Sequence, residues 1–289
     1  MTVSTIVCRH GLFHTLTADN TLGLSMRDYG EWSESEVHLF ELLLQPGDVV
    51  VEAGANIGSH TVPLSRLVGP SGSVHAFEPL GINHRLLCAN LVANDCRNVR
   101  TYQVALGREA GFAKFPDVDG DQNVNFGSLG FYTAAGLPTQ LCPLLPIDAL
   151  ALTRLNFLKI DVEGHEREIV SGALETIRRC RPVVYLETLN HYAATLDPDG
   201  HTKWAIEALR SEGYGFWHFI TPLYRPDNWR GNAHNAFPGK WSFDLVCIPR
   251  EMGRLEGLPN AEVDRMHCDD PDQWRHVRFI PKEPSAPPS

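Results

Sequence analysis

The stretch FLKIDVEGHE, residues 157–166, gathers Lys159, Asp161, Glu163, His165 and Glu166 within ten positions. Carboxylates and an ammonium at this density can hold a hard cation, move a proton or receive a cationic ligand. A second polar set closes another β-branched run, where VVVEAGANIG brings Glu52 and then Gly54, Ala55, Asn56 and Gly58. Two more acids, Glu78 in VHAFEP and Glu187 in PVVYLE, also end apolar runs. Whether Glu52, Glu78, Asp161 and Glu187 meet depends on the elements that carry them.

The elements alternate. DVVVEAG, SVHAFEP, NVRTYQVAL, NFLKID and PVVYLE read as strands, and SHTVPLSRLV and INHRLLCANLVAN as helices between them. Ile169, Val170, Ala173, Leu174 and Ile177 recur at helical spacing between the last two strands. Strands alternating with helices imply an α/β fold with a doubly wound, mostly parallel, Rossmann-like sheet. YGFWHFI and SFDLVCIP, with no long helix between them, are expected to close it as an antiparallel hairpin. Before the first strand, residues 11–30 with Asp19-Asn20 read as a hairpin. SESEVHLFELLLQPGD reads as a helix with a Ser33/Glu36 capping box. The expected organisation is an N-terminal hairpin and helix cap over 1–45, a cofactor-binding domain over 46–250 and a C-terminal extension over 251–289 with a disordered Pro-rich tail, PKEPSAPPS. In such a sheet ligands bind beyond the carboxyl ends of the strands, where the strand order reverses.

The glycine turn discriminates between cofactors. A dinucleotide fingerprint needs a glycine where this chain has Asn56, and Glu52 would repel a pyrophosphate. A carboxylate there suits a cationic cofactor without phosphate, which favours S-adenosylmethionine over NAD. Glu78, twenty residues after Gly58, is placed to accept hydrogen bonds from ribose hydroxyls. At this point YGEWSESEV, GDVVVEAGANIGSHTVPLSRLVGPSG, VHAFEP, LKIDVEGHE and RPVVYLE, in this order, resemble the FkbM-type S-adenosylmethionine-dependent methyltransferases over roughly residues 28–250. The resemblance implies a class I methyltransferase fold and O-methylation of a hydroxyl on a sugar or polyketide-type natural product. It carries the cofactor loop onto Glu52, Gly54, Ala55, Asn56 and Gly58 and the ribose acid onto Glu78. Glu52 stands where an aspartate is commoner.

Methyl transfer to an alcohol requires alignment and a base or Lewis acid. Asp161 is the foremost candidate, as base, metal ligand or anchor for the methionine amine; its structural alternative is a helix N-cap. Lys159 orients Asp161, binds an acceptor oxygen or neutralises buried carboxylates, and Glu163 and Glu166 either support the site or begin a helix. Glu187 could complete an oxygen-ligand site for Mg2+ with Asp161. His191, His218 and His234 are further candidate bases. Phe216, Trp217, Phe219, Tyr224 and Trp229 read as core, or as a wall for the acceptor with Asn228, Arg230, Asn232 and Asn235 reading its hydroxyls. Asp121, Asn123 and Asn125 could line the opposite side. Rival readings are N- or carboxyl-methylation, an NAD-type oxidoreductase, and a non-catalytic cofactor-binding protein.

The bulk numbers fit a small-molecule enzyme. A formal net charge of −10 gives no basic footprint for nucleic acid or an anionic membrane surface. Seven scattered cysteines without C-x-x-C spacing fit a reducing compartment, and the N-terminus shows no signal peptide, so a cytoplasmic protein is expected. No apolar run spans a membrane. The expected partner is a hydroxylated small molecule, with a homo-oligomer allowed.

Overall fold

A parallel strand covered on both faces needs apolar side chains in both directions. VVVEA and SVHAF meet that demand: Val50, Val51, Ala53, Val74, Ala76 and Phe77 are buried. In the computed structural model, which describes residues 2–118, 120–131, 136–188, 200–261 and 270–282, the chain opens with a hairpin of β1 (Val3–Cys8) and β2 (Gly11–Leu16). Helices α1 (Leu22–Asp28) and α2 (Glu34–Leu43) follow. Then come β3 (Val49–Ala53), α3 (Thr61–Val68), β4 (Ser73–Phe77), α4 (Gly81–Ala93) and β5 (Val99–Tyr102). A small sheet is made by β6 (Ala105–Leu106), β7 (Gly111–Pro116) and β8 (Thr139–Leu145). The second half contains β9 (Phe157–Ile160), α5 (Glu166–Ser171), α6 (Leu174–Cys180), β10 (Val183–Glu187) and α7 (His201–Ser211). It ends with β11 (Tyr214–Pro222), β12 (Trp241–Pro249) and a hairpin of β13 (Gly253–Glu256) and β14 (Arg278–Pro281).

The central sheet has the order β11-β12-β10-β9-β3-β4-β5. Strands β10, β9, β3, β4 and β5 run parallel, while β12 is antiparallel to β10 and β11 antiparallel to β12. This is the doubly wound sheet with its late hairpin. The order reverses between β3 and β9, so the crevice opens above these two strands. Leu39 and Phe40 of α2 and Leu64 and Val68 of α3 pack on the face presenting Val50, Val74 and Phe157. Helices α5, α6 and α7 cover the other, with Ile169, Ile177, Ala205 and Leu209 against Val51, Leu158 and Val184. No helix among the described residues is long and apolar enough to cross a membrane.

Three expectations need correction. The N-terminal hairpin lies over 3–16, not 11–30, because Asp19 Oδ1 accepts the Thr21 amide at 2.9 Å and turns the chain into α1. The capping box is not formed: Ser33 takes a left-handed conformation with no side-chain cap, and Glu36 turns inward instead. The helix expected after β9 breaks into α5 and α6 at Gly172, where a Cβ would stand 2.0 Å from the Gly107 carbonyl oxygen. The tail from residue 283 lies outside the described residues.

Candidate active site

Sheet register brings the polar strand ends together. Glu52, Lys159 and Tyr185 are register partners on β3, β9 and β10, on the face covered by α2. Side chains two positions apart share a face, so Asp161 and Glu187 continue it, and Glu187 pairs in register with Asp244 of β12. Helix α2 adds Glu36 from above and α3 is preceded by His60, which stacks edge-on against Phe40 at 5.6 Å. The glycine turn fits tightly beneath: Gly54 has φ +83°, and a Cβ there would lie 1.9 Å from the Asp161 carbonyl oxygen. Asn56, at φ 51°, uses the left-handed tolerance of asparagine.

These groups line a cavity of about 410 Å3 whose wall also includes Trp32, Asn83, Asn125, Phe126, Phe131, His165 and Trp241. Seven carboxyl side chains face it: Glu36, Glu52, Glu78, Asp161, Glu163, Glu187 and Asp244. Lys159, only 1% exposed, is the single lysine or arginine of the wall among the described residues and donates to Asp161 Oδ2 at 2.6 Å. Burial opposes the lysine's charge, but Asp161, Glu52 and Glu36 outweigh it and hold Lys159 protonated. Asp161 resists its own burial through Lys159 and a hydrogen bond with Glu187, and its carboxyl stays below the usual range. Glu187 takes the other half of that exchange: burial and then the Asp161 charge push it far up, toward the neutral acid.

The remaining acids are all pushed up, chiefly by burial. Glu52 rises to about 7, held back by Lys159 and by the Thr61 hydroxyl, which donates to it at 2.6 Å. Glu78 also rises to about 7 although it accepts the Leu80 and Asn56 amides, both at 2.8 Å. Glu163, in a left-handed conformation at φ 55°, reaches about 8 with Asp161 and Glu166 adding to burial. Asp244 reaches about 7 despite the Ser242 hydroxyl that donates to it at 2.7 Å. Burial, helped by Lys159, drops His60 to about 3, so its ring is neutral. The cavity is thus short of positive charge.

The family model described as the Methyltransferase FkbM domain matches residues 52–216, more than half of the chain. The chain belongs to the FkbM methyltransferase family. It is an S-adenosylmethionine-dependent methyltransferase. It is 30% identical over 202 residues to the 31-O-demethyl-FK506 methyltransferase FkbM of Streptomyces tacrolimicus, an alignment covering 59% of this chain and 74% of that protein. It is 26% identical over 180 residues to the methyltransferase sdnD of Sordaria araneosa, covering 48% of this chain and 65% of that one. Among solved structures, the O-methyltransferase TomG of Streptomyces achromogenes in complex with SAM superposes with a TM-score of 0.45 at 14% identity, covering 74% of this chain and 78% of that one.

In this FkbM-family methyltransferase the cavity wall includes Glu52, Gly54, Ala55, Asn56, Glu78, Asn125, Lys159, Asp161, Glu163 and Glu187. Gly58 stays behind the wall, where a Cβ would meet Leu87 at 2.8 Å. Asp161 is no helix cap, since α5 has His165 at its N-cap position. Glu166 is buried and accepts the Gly164 amide at 2.9 Å, so it shapes the turn. His191 lies outside the described residues.

The expected acceptor wall at residues 229–235 is not part of this cavity. Trp229, Arg230, His234 and Asn235 are exposed and stand outside the cavity. Their loop is tied to the N-terminal segment: the Trp229 amide donates to Glu31 Oε2 at 2.9 Å, Arg230 Nη2 to the Val7 carbonyl at 2.8 Å and Tyr29 Oη to the His234 carbonyl at 3.0 Å. Asn235 instead accepts the Phe237 amide at 2.8 Å. Phe216, Trp217 and Phe219 are core, and His218 is buried within β11. The Mg2+ site is also corrected. Asp161 is engaged by Lys159, Glu187 is held toward its neutral acid, and among the described residues no group of three or more His, Cys, Asp or Glu is arranged to hold a metal ion. The groups missed from sequence are Glu36, His60 and Asp244. The available signal was an acid inside an apolar strand, in SFDLVCIP.

Proposed function

We propose that the enzyme methylates a hydroxyl oxygen of a small molecule of the sugar or polyketide type. The observation that carries this reading is Glu163. It lines the cavity in a left-handed backbone conformation, a kind of strain that clusters at functional sites, and its carboxyl lies near 8. A carboxylate of that basicity is suited to take the proton of an alcohol near neutral pH. The relative that is 30% identical is named for a 31-O position, which supports oxygen as the accepting atom.

The residues present fit the methyl donor. Asn56 Oδ1 and Asn83 Oδ1 are buried acceptors without a hydrogen-bond partner on the nucleotide side of the cavity, beside the Glu78 carboxylate. Glu78, with Asn56, would hold the ribose, and Glu52 and Asp161 would face the cationic end. When bound, S-adenosylmethionine supplies an electrophilic methyl group. Lys159 keeps Asp161 ionised and fixed, and Trp32, Phe126 and Phe131 exclude water from the acceptor's approach.

Calorimetric titration with S-adenosylmethionine and with NAD tests the cofactor side. A Glu78→Gln variant should weaken the methyl donor about tenfold, the worth of one charged hydrogen bond. Unchanged affinity would remove the ribose assignment. For the chemistry, Glu163→Gln should lower kcat at least about a hundredfold while leaving cofactor affinity within about threefold. A variant with full turnover would eliminate Glu163 as the base.

A further inference from the structure

The far end of the cavity has more acidic groups than the cofactor can use. Strand order places β12 three steps from β3 and four from β4, so Asp244 stands about 14 Å across the sheet from the strand of Glu52 and about 19 Å from that of Glu78. Glu187 and Asp244 are direct register partners on two paired strands, with both side chains on one face. Two carboxylates directly opposite would repel each other in a sheet, and among the described residues no arginine or lysine of the wall lies between them. Among the described residues the only lysine there, Lys159, is committed to Asp161 at 2.6 Å. Glu36, whose largest charged neighbour is Asp244, closes the same end from α2.

A second observation, beside Glu36, is independent of the strand-end acids. His60 is 3% exposed and lines the cavity, yet its Nε2 has no hydrogen-bond partner. The nearest carboxylate oxygen, Glu36 Oε2, is 3.7 Å away, too far for a bond. Glu187 Oε2 is likewise buried without a partner. A pocket end with carboxylates opposite one another, a neutral imidazole nitrogen and a free carboxyl oxygen has acceptors in excess and lacks a cationic donor.

We infer that the acceptor carries a protonated amine, as an amino sugar or amino alcohol does, and that Glu187, Asp244, Glu36 and His60 anchor this ammonium while a neighbouring hydroxyl is methylated. This rests on the hydroxyl-methylation reading above. An ammonium offers three N–H donors, and one brought between Glu187 and Asp244 lets both carboxyls ionise against it, where without a cation they are pushed toward their neutral forms. The methyl donor's own ammonium does not serve, because Asp161 and Glu52 take that position on β9 and β3, nearer the nucleotide side. The amine is an anchor and is not itself the nucleophile, since a protonated nitrogen has no lone pair to attack with.

The test uses the full-length wild-type protein, trideuteromethyl S-adenosylmethionine and the desalted small-molecule extract of cells that encode it. Products bearing the deuterated methyl are found by mass spectrometry, checked for retention on a sulfonate column at mildly acidic pH, and the methylated atom is located by NMR. A retained product with the label on oxygen supports the proposal. An unretained, neutral product with the label on oxygen overturns the amine anchor and leaves hydroxyl methylation standing. Label on nitrogen overturns both, and no labelled product overturns the methylation reading on which the proposal rests. With the acceptor in hand, Asp244→Asn should raise its KM about tenfold or more with kcat within about threefold, and Asp244→Glu should recover most of the loss. If Asp244→Asn does not fold, Glu187→Gln is read in the same way. KM unchanged in the folded variant would refute the anchor.

Discussion

Lys159→Met isolates the charge that holds the site together. Methionine keeps the length of the side chain in a position 1% exposed and removes only the cation. Lys159 lowers the pKa of Asp161, Glu52 and Glu36 alike, so its loss leaves three buried carboxyls without compensation. Removing one partner of a buried pair costs about 3–5 kcal/mol. Protonation limits the damage, because a buried carboxylate can neutralise instead. Protonating an aspartate whose unfolded value is about 3.9 costs about 1.5 kcal/mol at pH 5 and about 5.6 kcal/mol at pH 8, at 1.36 kcal/mol per pH unit.

The sign follows for each group. Asp161 is depressed in the wild type, so its contribution is present above about pH 4 and lost only as pH falls through its folded value. Lys159 is raised, so its contribution is constant below about pH 10 and drops out of the comparison in the range used. The difference between wild type and Lys159→Met should therefore be about 3–5 kcal/mol at pH 8 and shrink to about 1.5 kcal/mol at pH 5. Urea denaturation of both proteins at the two pH values measures it, with m compared to confirm that the transition keeps its character. A difference that does not change with pH, or one under about 1 kcal/mol at pH 8, would refute the claim that this lysine neutralises the strand-end acids.

Other outcomes follow from the same geometry. Because Glu52, Glu78 and Asp244 sit near 7 and Glu163 near 8, the ligand-free folded state binds more protons than the unfolded one. Its Tm should accordingly fall between about pH 5 and pH 8, and S-adenosylmethionine should flatten that fall; a Tm that rises over this range contradicts the assignment. Gly54→Ala puts a Cβ 1.9 Å from the Asp161 carbonyl oxygen at φ +83°. It should cost more than about 3 kcal/mol or abolish cofactor binding by calorimetry, whereas a variant within about 1 kcal/mol of wild type would deny the tight turn. Trp229→Ala should lower Tm by a few degrees while KM and kcat stay within about twofold, because Trp229 packs on Gly30 outside the cavity. A rise in KM beyond that would return this residue to the acceptor site.

The four strand-end acids were readable because each sits at the close of an apolar run, and a doubly wound sheet sends all such ends to one side. Asn56 and Glu52 were enough to turn the choice from a phosphate cofactor to a cationic one. What could not be read was lateral: which residue of β12 stands beside which residue of β10. A shift of one residue there would send Asp244 to the other face, so its place beside Glu187 emerges only from the paired strands. Glu36 was hidden by a motif that has a sufficient explanation of its own, since Ser33 with Glu36 satisfies a capping box on spacing alone. The loop carrying Trp229 and Asn235 is placed by contacts that its own residues do not announce. Its aromatic and amide side chains suit a carbohydrate, but Tyr29, Asp28 and Glu31, some two hundred positions earlier, take up its hydrogen bonds.

The row formed by Asp161, Glu187 and Asp244 is a poor choice for stability taken alone. An apolar strand end would bury more surface and avoid both the desolvation of carboxyls and their mutual repulsion. The fold manages it in two unequal ways. Asp161 has a permanent cation, Lys159, and so remains an anion of fixed position. Among the described residues no lysine or arginine bonds to Glu187, Glu36 or Asp244, and all three are pushed toward their neutral forms, Glu36 and Asp244 despite the charge of Lys159. Two kinds of acid in one cavity serve two purposes. The first is organised before any ligand arrives, while the second gains its charge only when a cation enters and lowers its pKa again. Ligand charge and folding stability are therefore linked at this end of the sheet, and a cationic acceptor should bind more tightly as pH rises through about 7, where Asp244 releases its proton.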